Sequence, residues 1–298
     1  MKGKINKAGV YRVPIEEYHR QPCAGPSISS SGLRTIFIDS PAHYWVDSPL
    51  NPNRIEKPGA DHFDLGRASH TLLLGEDAFT TLFVVRPERW DSWRTNDAKA
   101  WKAEQEAAGR TVLLPQHLQI IRGMAKSLAA SSLVQAGILN GKVEQTFAYQ
   151  DKETGVWLLS RPDAVPTDSG DFCDLKTTAR IGFGLDRSIF DYRYDMQASL
   201  TKWAAKAVLG LEMQSFSFVF VEKEPPHCVD VLQLHAEDIA AAELDLRVAV
   251  DVFAHCLKSG TWFGPAGSQN DARYVQLSDF AKKGAEFRRD FLRREIGR

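Results

Sequence analysis

The sequence predicts an α/β or α+β domain with a mixed β-sheet. Two observations carry this prediction, the order of the patterned segments and the composition. The segments run as helices, three strands, a helix, two strands and a final helix, an order expected of a sheet packed against helices. The chain has 298 residues, 43% of them hydrophobic and 25% charged, which is enough to bury a core without disulfide or metal support.

Composition and charge exclude several classes of protein. The 37 basic and 38 acidic residues give a net charge of −1, so a nucleic acid would need a local groove rather than a globally positive surface. The four cysteines are far apart and form no C-x-x-C pair, which predicts no zinc ribbon and no iron–sulfur cluster and favours a reducing cytoplasm. The sequence also predicts no signal peptide, no membrane-spanning run of 18 apolar residues and no ATP site with a P-loop lysine.

The N-terminal part of the chain predicts an arm followed by helices. Residues 1–60 form this arm, in which residues 1–26 are rich in proline and glycine and predict an extended segment. Within the arm, after this extended segment, Ser29 or Ser30 can cap a short helix. Apolar spacing and composition predict three further helices, at residues 61–75, 96–108 and 116–137.

The central part of the chain has the sequence pattern of β-strands. Three β-rich runs split by turn sequences predict an antiparallel three-strand meander, at residues 143–150, 156–165 and 171–178. A helix over residues 195–208 and two strands joined across residues 223–226 follow. Residues 236–298 predict a C-terminal helical segment, so we expect one domain over residues 1–298.

The most informative chemistry lies where the second and third predicted strands meet. Asp174 and Lys176 are two residues apart on a strand and therefore project from one face, and the preceding turn can bring Asp163 beside them. Two clustered carboxylates are costly to keep ionised unless a cation lies between them. Mg²⁺ is commonly held by one or two carboxylates with water and phosphate, and a lysine beside it can position water and neutralise developing charge.

These residues also have a purely structural interpretation. An Asp-x-Lys pair at a strand edge is usually solvated surface. Here the neighbours Phe172, Cys173 and Leu175 are apolar, which predicts a buried strand, and buried carboxylates beside a lysine need a reason.

These residues resemble the P-D…(D/E)-x-K signature of the restriction-endonuclease-like nucleases. The series RPDAV, DLKTT and YDMQAS resembles the RecB branch of that group, in which a helical histidine also precedes the motifs. The segments SSSGLRTIFIDSPAHYW and FVFVEKEPPH resemble RecE-type exonucleases, also called exonuclease VIII. The resemblance covers roughly residues 26–264.

The resemblance implies a restriction-endonuclease-like fold with a mixed central sheet flanked by helices. It also implies a Mg²⁺-dependent exodeoxyribonuclease, for which Mn²⁺ can substitute. Such enzymes digest one strand of linear double-stranded DNA from 5′ to 3′ and expose a 3′ overhang for recombination. They are often encoded in prophages, act as homo-oligomeric rings, here a trimer or tetramer, and serve a single-strand annealing protein.

The same resemblance implies roles for individual residues. It assigns metal binding to His70, Asp163, Asp174 and the backbone carbonyl of Leu175. It assigns catalysis to Asp163, Asp174, Lys176 and Gln197, and Gln197 would orient Lys176 or a DNA phosphate. The sequence departs from the pattern at Thr201, where the family has a tyrosine that contacts DNA, and Tyr194 or Trp203 is a candidate substitute.

Several residues keep two interpretations at this stage. His70 is either a site residue or an ordinary core histidine, and Glu144 faces either the metal or solvent. Three arginines follow the Asp-x-Lys motif and either line a phosphate groove or lie in a solvated loop: Arg180, Arg187 and Arg193. Three tryptophans either stack on unpaired bases or pack in a core: Trp90, Trp93 and Trp101.

Two alternative functions belong to other classes. The chain could be a catalytically weak DNA-binding or assembly subunit that retains the fold, or a metal hydrolase that does not act on DNA. The intact set of Asp163, Asp174 and Lys176 argues against the first alternative. The absence of histidine-rich ligand motifs such as H-E-x-x-H argues against many versions of the second.

Overall fold

Helices dominate the first half of the chain, and strands cluster in its centre. The computed structural model describes residues 3–55, 61–74, 79–143, 145–167, 169–267, 272 and 274–297, and only the backbone of residues 61–65. In chain order the elements are β1 (Gly9–Tyr11), α1 (Ile15–Tyr18), β2 (Ser27–Ser29), α2 (Ser30–Ile38), α3 (Pro41–Asp47), α4 (Asp61–Leu73), α5 (Phe79–Leu82), β3 (Phe83–Val85), α6 (Asn96–Ala107), β4 (Thr111–Leu113), α7 (Pro115–Ala130), α8 (Ser132–Gln135), β5 (Thr146–Gln150), β6 (Trp157–Ser160), β7 (Asp171–Thr178), α9 (Leu185–Asp191), α10 (Tyr194–Leu209), β8 (Ser215–Glu222), β9 (Val229–Gln233), α11 (Ala236–Ser259) and α12 (Asp279–Glu295).

The first sheet is mixed and has the strand order β1-β5-β6-β2. β5 pairs antiparallel with β1 and β6, whereas β2 pairs parallel with β6. β5 is buried on both faces because its side chains alternate between two cores. Phe147 and Tyr149 join the core that includes α10, and Ala148 joins a smaller core with residues from the N-terminal segment.

The N-terminal segment is therefore not the extended arm that the prolines predict. It contributes the edge strand β1, the short helix α1 and buried side chains that cover one face of the sheet: Ile5, Val13, Tyr18 and Cys23. These apolar residues are too widely spaced to show a strand or helix period in the sequence. Burial against β5 and β6, rather than local pattern, orders this part of the chain.

The second sheet carries the residues of chemical interest and has the order β7-β8-β9. β7 pairs parallel with β8, so that Lys176 lies opposite Phe220, and β8 pairs antiparallel with β9. The predicted meander is wrong in its third strand, because β7 does not extend the sheet of β5 and β6. Within the described residues, an isolated antiparallel bridge between Ala164 and Cys173 links β7 to the segment that follows β6. Helices α9 and α10 supply the long crossover that a parallel β7–β8 pair requires.

Helices α10 and α11 complete the main core. α10 presents the small buried residues Ala198, Ala204 and Ala205, which allow close packing. Ser199 Oγ on α10 donates a hydrogen bond to the carbonyl of Ile239 on α11 at 2.9 Å. Both helices therefore belong to the body that holds the sheets.

The predicted C-terminal helical segment divides into two parts. The structure forms two compact units, Met1–Gly264 and Pro265–Arg298, so α11 lies in the first unit and α12 in the second. Helix α12 is amphipathic, with the exposed side chains Phe280 and Phe287 on it. Among the described residues, no helix combines the length and the apolar character needed to cross a bilayer.

Candidate active site

Strand β7 presents Asp174 and Lys176 on one face, as the period of two predicts. Lys176 Nζ forms an ion pair with Asp174 Oδ2. The side chain of Asp174 is only 3% exposed, so this charge is almost fully removed from solvent. Leu175 lies between them and points to the opposite face, where it packs in a core with Val219 and Val221. The apolar side of β7 thus fixes the strand that carries the charged side.

Asp163 reaches the edge of β7 from the segment that follows β6. Its Oδ2 accepts a hydrogen bond from the backbone N–H of Leu175 at 2.6 Å. This N–H therefore points away from β8, and the carbonyl of the same residue points to the same side of the strand. The edge of β7 consequently brings together the Asp163 carboxylate and the Leu175 carbonyl, two oxygen donors that the family resemblance assigns to a metal.

His70 approaches this edge from helix α4. Its Nδ1 lies 3.5 Å from Asp163 Oδ2. Ala68, two residues earlier on the helix, is buried in the core that includes Leu175, and α4 packs beside β7. The geometry thus places His70 against the carboxylates rather than inside an apolar core.

Gln197 connects the two charged residues of β7 from helix α10. Its Nε2 donates to Asp174 Oδ1 at 2.6 Å, and its Oε1 accepts from Lys176 Nζ at 3.3 Å. The amide therefore orients both side chains at once. Thr201, one turn further along the helix at the family's tyrosine position, is buried and contacts the hydroxyl of Ser160 at 3.0 Å.

Charge crowding shifts the pKa values of this cluster in a consistent pattern. Burial and the negative charge of Asp163 raise the pKa of Asp174. Burial also acts to raise the pKa of Asp163, but His70, Lys176 and the Leu175 N–H outweigh it and lower that pKa. Burial acts to lower the pKa values of Lys176 and His70, yet the two carboxylates outweigh it and raise both. The two acids thus sit in an environment that favours positive charge beside them.

A cavity of about 620 Å³ opens over these side chains and is also rich in arginine. The predicted residues that line it are His70, Asp163, Asp174, Lys176 and Gln197, and the lining arginines are Arg12, Arg34, Arg67 and Arg161. The Nε atoms of Arg34 and Arg67 are buried and have no hydrogen-bond partner among the described residues. Arg67 also pairs with Glu16 through Nη2, and Arg34 donates to the carbonyl of Tyr192. The cavity therefore combines acids with guanidinium groups, which suit an anionic ligand.

Sequence reasoning missed these four arginines. They come from the N-terminal segment, α2, α4 and the end of β6, so their convergence depends on the tertiary fold. Arg161 alone carried a local signal, because it stands two residues before Asp163 and such spacing places two side chains on one face of an extended segment.

The three predicted arginines lie elsewhere. Within the described chain, none of them lines the cavity. The side chain of Arg187 is 77% exposed and pairs with Asp191 on its own helix. The guanidinium of Arg193 is held by Asp195 at 3.0 Å and by Asp245 at 2.6 Å. Arg193 is thus neutralised by the protein rather than left open for phosphate.

The remaining predicted residues divide between the site and the scaffold. The ring centroid of Tyr194 lies 4.9 Å from Lys176 Nζ, so Tyr194 lies beside the site. Trp203 donates its indole N–H to Glu243 on α11 at 2.8 Å and links the two helices. The tryptophans of the α6 region pack on one another, with Trp90 and Trp93 at 5.6 and 6.4 Å from the ring of Trp101. Glu144 lies outside the described residues.

The donor set suits a partial rather than a complete metal shell. Among the described residues, no group of three His, Cys, Asp or Glu side chains is arranged to hold a metal ion. Asp163, Asp174 and the Leu175 carbonyl supply hard oxygen donors. Mg²⁺ accepts such a set because it commonly keeps several waters and adds substrate oxygens to one or two carboxylates.

Comparison with known proteins agrees with this arrangement. Residues 29–273 match the family model described as a PDDEXK-like domain of unknown function (DUF3799). A crystal structure from Eubacterium rectale, described provisionally as an exonuclease, aligns with a TM-score of 0.60 and 12% identity over 90% of this chain and 97% of that one. This level of identity shows a shared fold alone.

Two further solved structures align more weakly. A phage-related exonuclease from Haemophilus somnus has a TM-score of 0.34 and 11% identity over 79% of this chain and 96% of its own. An alkaline exonuclease from Laribacter hongkongensis has a TM-score of 0.23 and 12% identity over 65% and 91%. Both scores are too low to support an argument, and no curated protein matches the sequence.

Proposed function

Because the chain belongs to the family of PDDEXK-like domains, we propose that it is a nuclease whose active site is the cluster on β7. The observation that carries the proposal is the convergence of Asp163, Asp174 and Lys176 in one cavity. These three residues occupy the positions of the P-D…(D/E)-x-K signature. The mixed α/β architecture, with sheets flanked by helices, is consistent with a restriction-endonuclease-like fold.

The proposed substrate is linear double-stranded DNA. Arg34, Arg67 and Arg161 line the cavity beside the acids, and the planar guanidinium group suits phosphate oxygens. The exonuclease description of the Eubacterium rectale structure supports an exonuclease over other nucleases. The sequence resemblance adds digestion of one strand from 5′ to 3′, with the 3′ overhang passed to a single-strand annealing protein in recombination.

The proposed cofactor is Mg²⁺, with Mn²⁺ as a substitute. Asp163 and Asp174 would hold the ion with the Leu175 carbonyl, and His70 would contact it or one of its waters. When bound, the ion neutralises charge on the phosphodiester and makes the attacking water more acidic. Two crowded carboxylates, one with a raised pKa, are the feature of this chain that fits such an ion.

The residues around the acids have separable roles in this proposal. Lys176 positions the water and offsets negative charge as it develops on the phosphate. Gln197 keeps the Lys176 ammonium aimed into the cavity and fixes one oxygen of Asp174. The arginines bind the phosphates next to the cleaved one. Hydrolysis leaves a 5′-phosphate and requires no covalent enzyme intermediate.

End-labelled duplex digestion tests the proposal directly. Linear duplexes labelled at the 5′ or the 3′ end, with 5′-phosphate or 5′-hydroxyl termini, are incubated with Mg²⁺, with Mn²⁺ or with a chelator. We expect hydrolysis with either metal, none with the chelator, and stepwise shortening from the 5′ end. A covalently closed circle is the matched control for end dependence. Absence of DNA hydrolysis with both metals contradicts a nuclease, and cleavage of the circle contradicts an exonuclease.

We further propose that the protein works as a closed ring of three or four subunits. With a net charge of −1, long-range attraction to DNA is weak, and enclosure would keep the enzyme on its substrate. Light scattering across micromolar concentrations is expected to give the mass of a trimer or tetramer. A monomer that digests long DNA processively contradicts the ring.

A further inference from the structure

Two tyrosines form a stack that begins at Lys176 and ends in solvent. The Tyr194 ring lies 4.9 Å from Lys176 Nζ, and the Tyr192 ring stacks on Tyr194 with 5.6 Å between centroids and 28° between planes. Tyr192 is 60% exposed, which leaves its outer part open to solvent. A large apolar ring is thus presented to solvent one stacking step away from the proposed catalytic lysine.

The backbone between the tyrosines holds this stack in place. Arg193 has a φ of +49°, a left-handed conformation that is uncommon for residues other than glycine. Its side chain is fixed by Asp195 at 3.0 Å and Asp245 at 2.6 Å, and its guanidinium lies 4.6 Å from the ring centroid of Phe37. Such a conformation persists when its surroundings fix it, and it often marks a functional position.

Arg34 ties the same stack to the cavity. Its Nη1 donates to the backbone carbonyl of Tyr192 at 2.8 Å, and its guanidinium carbon lies 5.3 Å from the Tyr194 centroid. Arg34 also lines the cavity above Asp174 and Lys176. A phosphate bound by these cations would therefore have the aromatic stack beside it.

We infer that Tyr192 is a stacking platform for an unpaired base of the DNA strand whose phosphate lies at Lys176. This inference rests on the proposed nuclease function and names the part of the substrate that meets this surface. Exposed aromatic rings beside phosphate-binding cations bind bases of any sequence, because every base has a π-face. The platform would hold a base near the strand end out of the duplex while its phosphate occupies the site. Arg193 acts as a positioning residue for the two rings.

Base fluorescence tests the platform without hydrolysis. Duplexes carry 2-aminopurine at each of the four positions nearest the 5′ end, and binding is measured with Ca²⁺ in place of Mg²⁺. We expect the fluorescence to change by several-fold at one position. Tyr192→Ala should lose that change, and Tyr192→Trp should retain it. Tyr192→Leu keeps an apolar side chain without a ring and should also lose the fluorescence change. It replaces the alanine variant in this test if that variant fails to fold.

Phe190 provides the matched control, because it is 75% exposed on the neighbouring helix α9. Phe190→Ala should keep the fluorescence change if the change depends on the Tyr192 ring that stacks on Tyr194 rather than on any exposed aromatic ring. A change that survives in Tyr192→Leu, or one that is lost equally in Phe190→Ala, overturns the platform.

Hydrolysis of duplexes with an abasic site separates this inference from the proposed function. An abasic site at the responsive position should slow wild-type cleavage about tenfold and should scarcely affect Tyr192→Ala. If the wild type cleaves the duplex and the abasic site slows Tyr192→Ala as much as it slows the wild type, the platform is overturned and the nuclease proposal stands. A Tyr192-dependent fluorescence change without hydrolysis by Mg²⁺ or Mn²⁺ supports the platform and overturns the nuclease proposal.

Discussion

Asp151 and Asp174 are both buried aspartates paired with a basic side chain, and their surroundings differ. Asp151 accepts hydrogen bonds from Arg247 on both oxygens, at 2.9 and 3.1 Å, and from the backbone and hydroxyl of Thr154 at 3.0 and 2.6 Å. Asp174 accepts one hydrogen bond from Gln197, pairs with Lys176 and faces the like charge of Asp163. The first cluster is complete in itself, and the second opens into a cavity.

The pKa directions of the two acids express the same difference. Burial acts to raise the pKa of Asp151, but Arg247 and Thr154 outweigh it and lower the pKa. Burial and Asp163 raise the pKa of Asp174 against the attraction of Lys176. An ion pair that lowers the pKa of its acid favours the folded state while the acid is charged, whereas a crowded pair of acids costs stability and is expected where a ligand completes it. This difference is consistent with a scaffold role for the Asp151 cluster and with the proposed chemical role of the Asp174 cluster.

The largest expected effect comes from removing the charges on β7. Lys176→Ala and Asp174→Asn should each reduce Mg²⁺-dependent DNA hydrolysis by about 10³-fold or more, because one removes the proposed water-positioning cation and the other a proposed metal ligand. The free energy of unfolding should stay within roughly 0.5 kcal/mol of wild type for Asp174→Asn, since the change relieves repulsion from Asp163. Initial rates on labelled duplex and urea unfolding measure the two quantities.

Asp151→Asn is the matched control for these variants. It makes the same chemical change in the complete cluster and should keep wild-type turnover. Near wild-type turnover of both β7 variants would contradict the site assignment. An equal loss of activity in Asp151→Asn would show that the contrast between the clusters is not functional.

Removing the Asp151 carboxylate, which belongs to the scaffold cluster of Asp151, Thr154 and Arg247, should have the opposite result: a loss of stability without a loss of activity. Asp151→Ala should lower the free energy of unfolding by about 2 kcal/mol, because it leaves Arg247 half-buried beside the empty position. The thermal midpoint should fall by roughly 4–8 °C, while turnover at 25 °C stays close to wild type. Calorimetry and the digestion assay together check this. Unchanged stability would mean that Asp251, which also pairs with Arg247 at 2.9 Å, compensates fully.

The contrast between the two clusters also shows which features of the site the sequence could predict and which it could not. Strand periodicity predicted that Asp174 and Lys176 share a face, and the structure confirms it with their ion pair. The sequence could not distinguish an arginine left open for phosphate from one held by a distant acid. Arg193 is bound by Asp245, 52 residues away, and Arg67 by Glu16, 51 residues away, while Arg34 enters the cavity from a helix without a local motif.

Strand pairing failed for a related reason. The order of strands along the chain suggested that β7 pairs next to β6. The choice between β6 and β8 depends on tertiary packing, and β8 is buried from Phe216 to Glu222. A segment with strong periodicity, such as α10, was predicted to within a few residues because its local pattern and its packing agree.

His70 gives a smaller effect that sharpens the comparison. If His70 contacts the metal or its water, His70→Ala should reduce hydrolysis by about 10- to 100-fold at low Mg²⁺. Raising the metal concentration should recover part of the loss. Rates across a Mg²⁺ titration measure this, with Lys176→Ala as the variant that added metal does not rescue. A loss that is the same at every metal concentration returns His70 to a structural role.

The smallest effect concerns pH and isolates the scaffold cluster. The pKa of Asp151 in the folded protein lies below its ordinary value of 3.8, so its contribution to stability is fully present above pH 3.8 and is lost as the pH falls through the lower, folded value. The wild type should therefore exceed Asp151→Asn in unfolding free energy by about 1 kcal/mol above pH 5. The difference should shrink towards zero in stronger acid. Urea unfolding at several pH values measures it, and Asp186→Asn, which alters an exposed carboxylate on α9, should track the wild type throughout. A difference in unfolding free energy that grows in acid contradicts the ion pair. Only the wild type carries the Asp151 carboxylate, so protonation in acid should reduce its advantage over the variant.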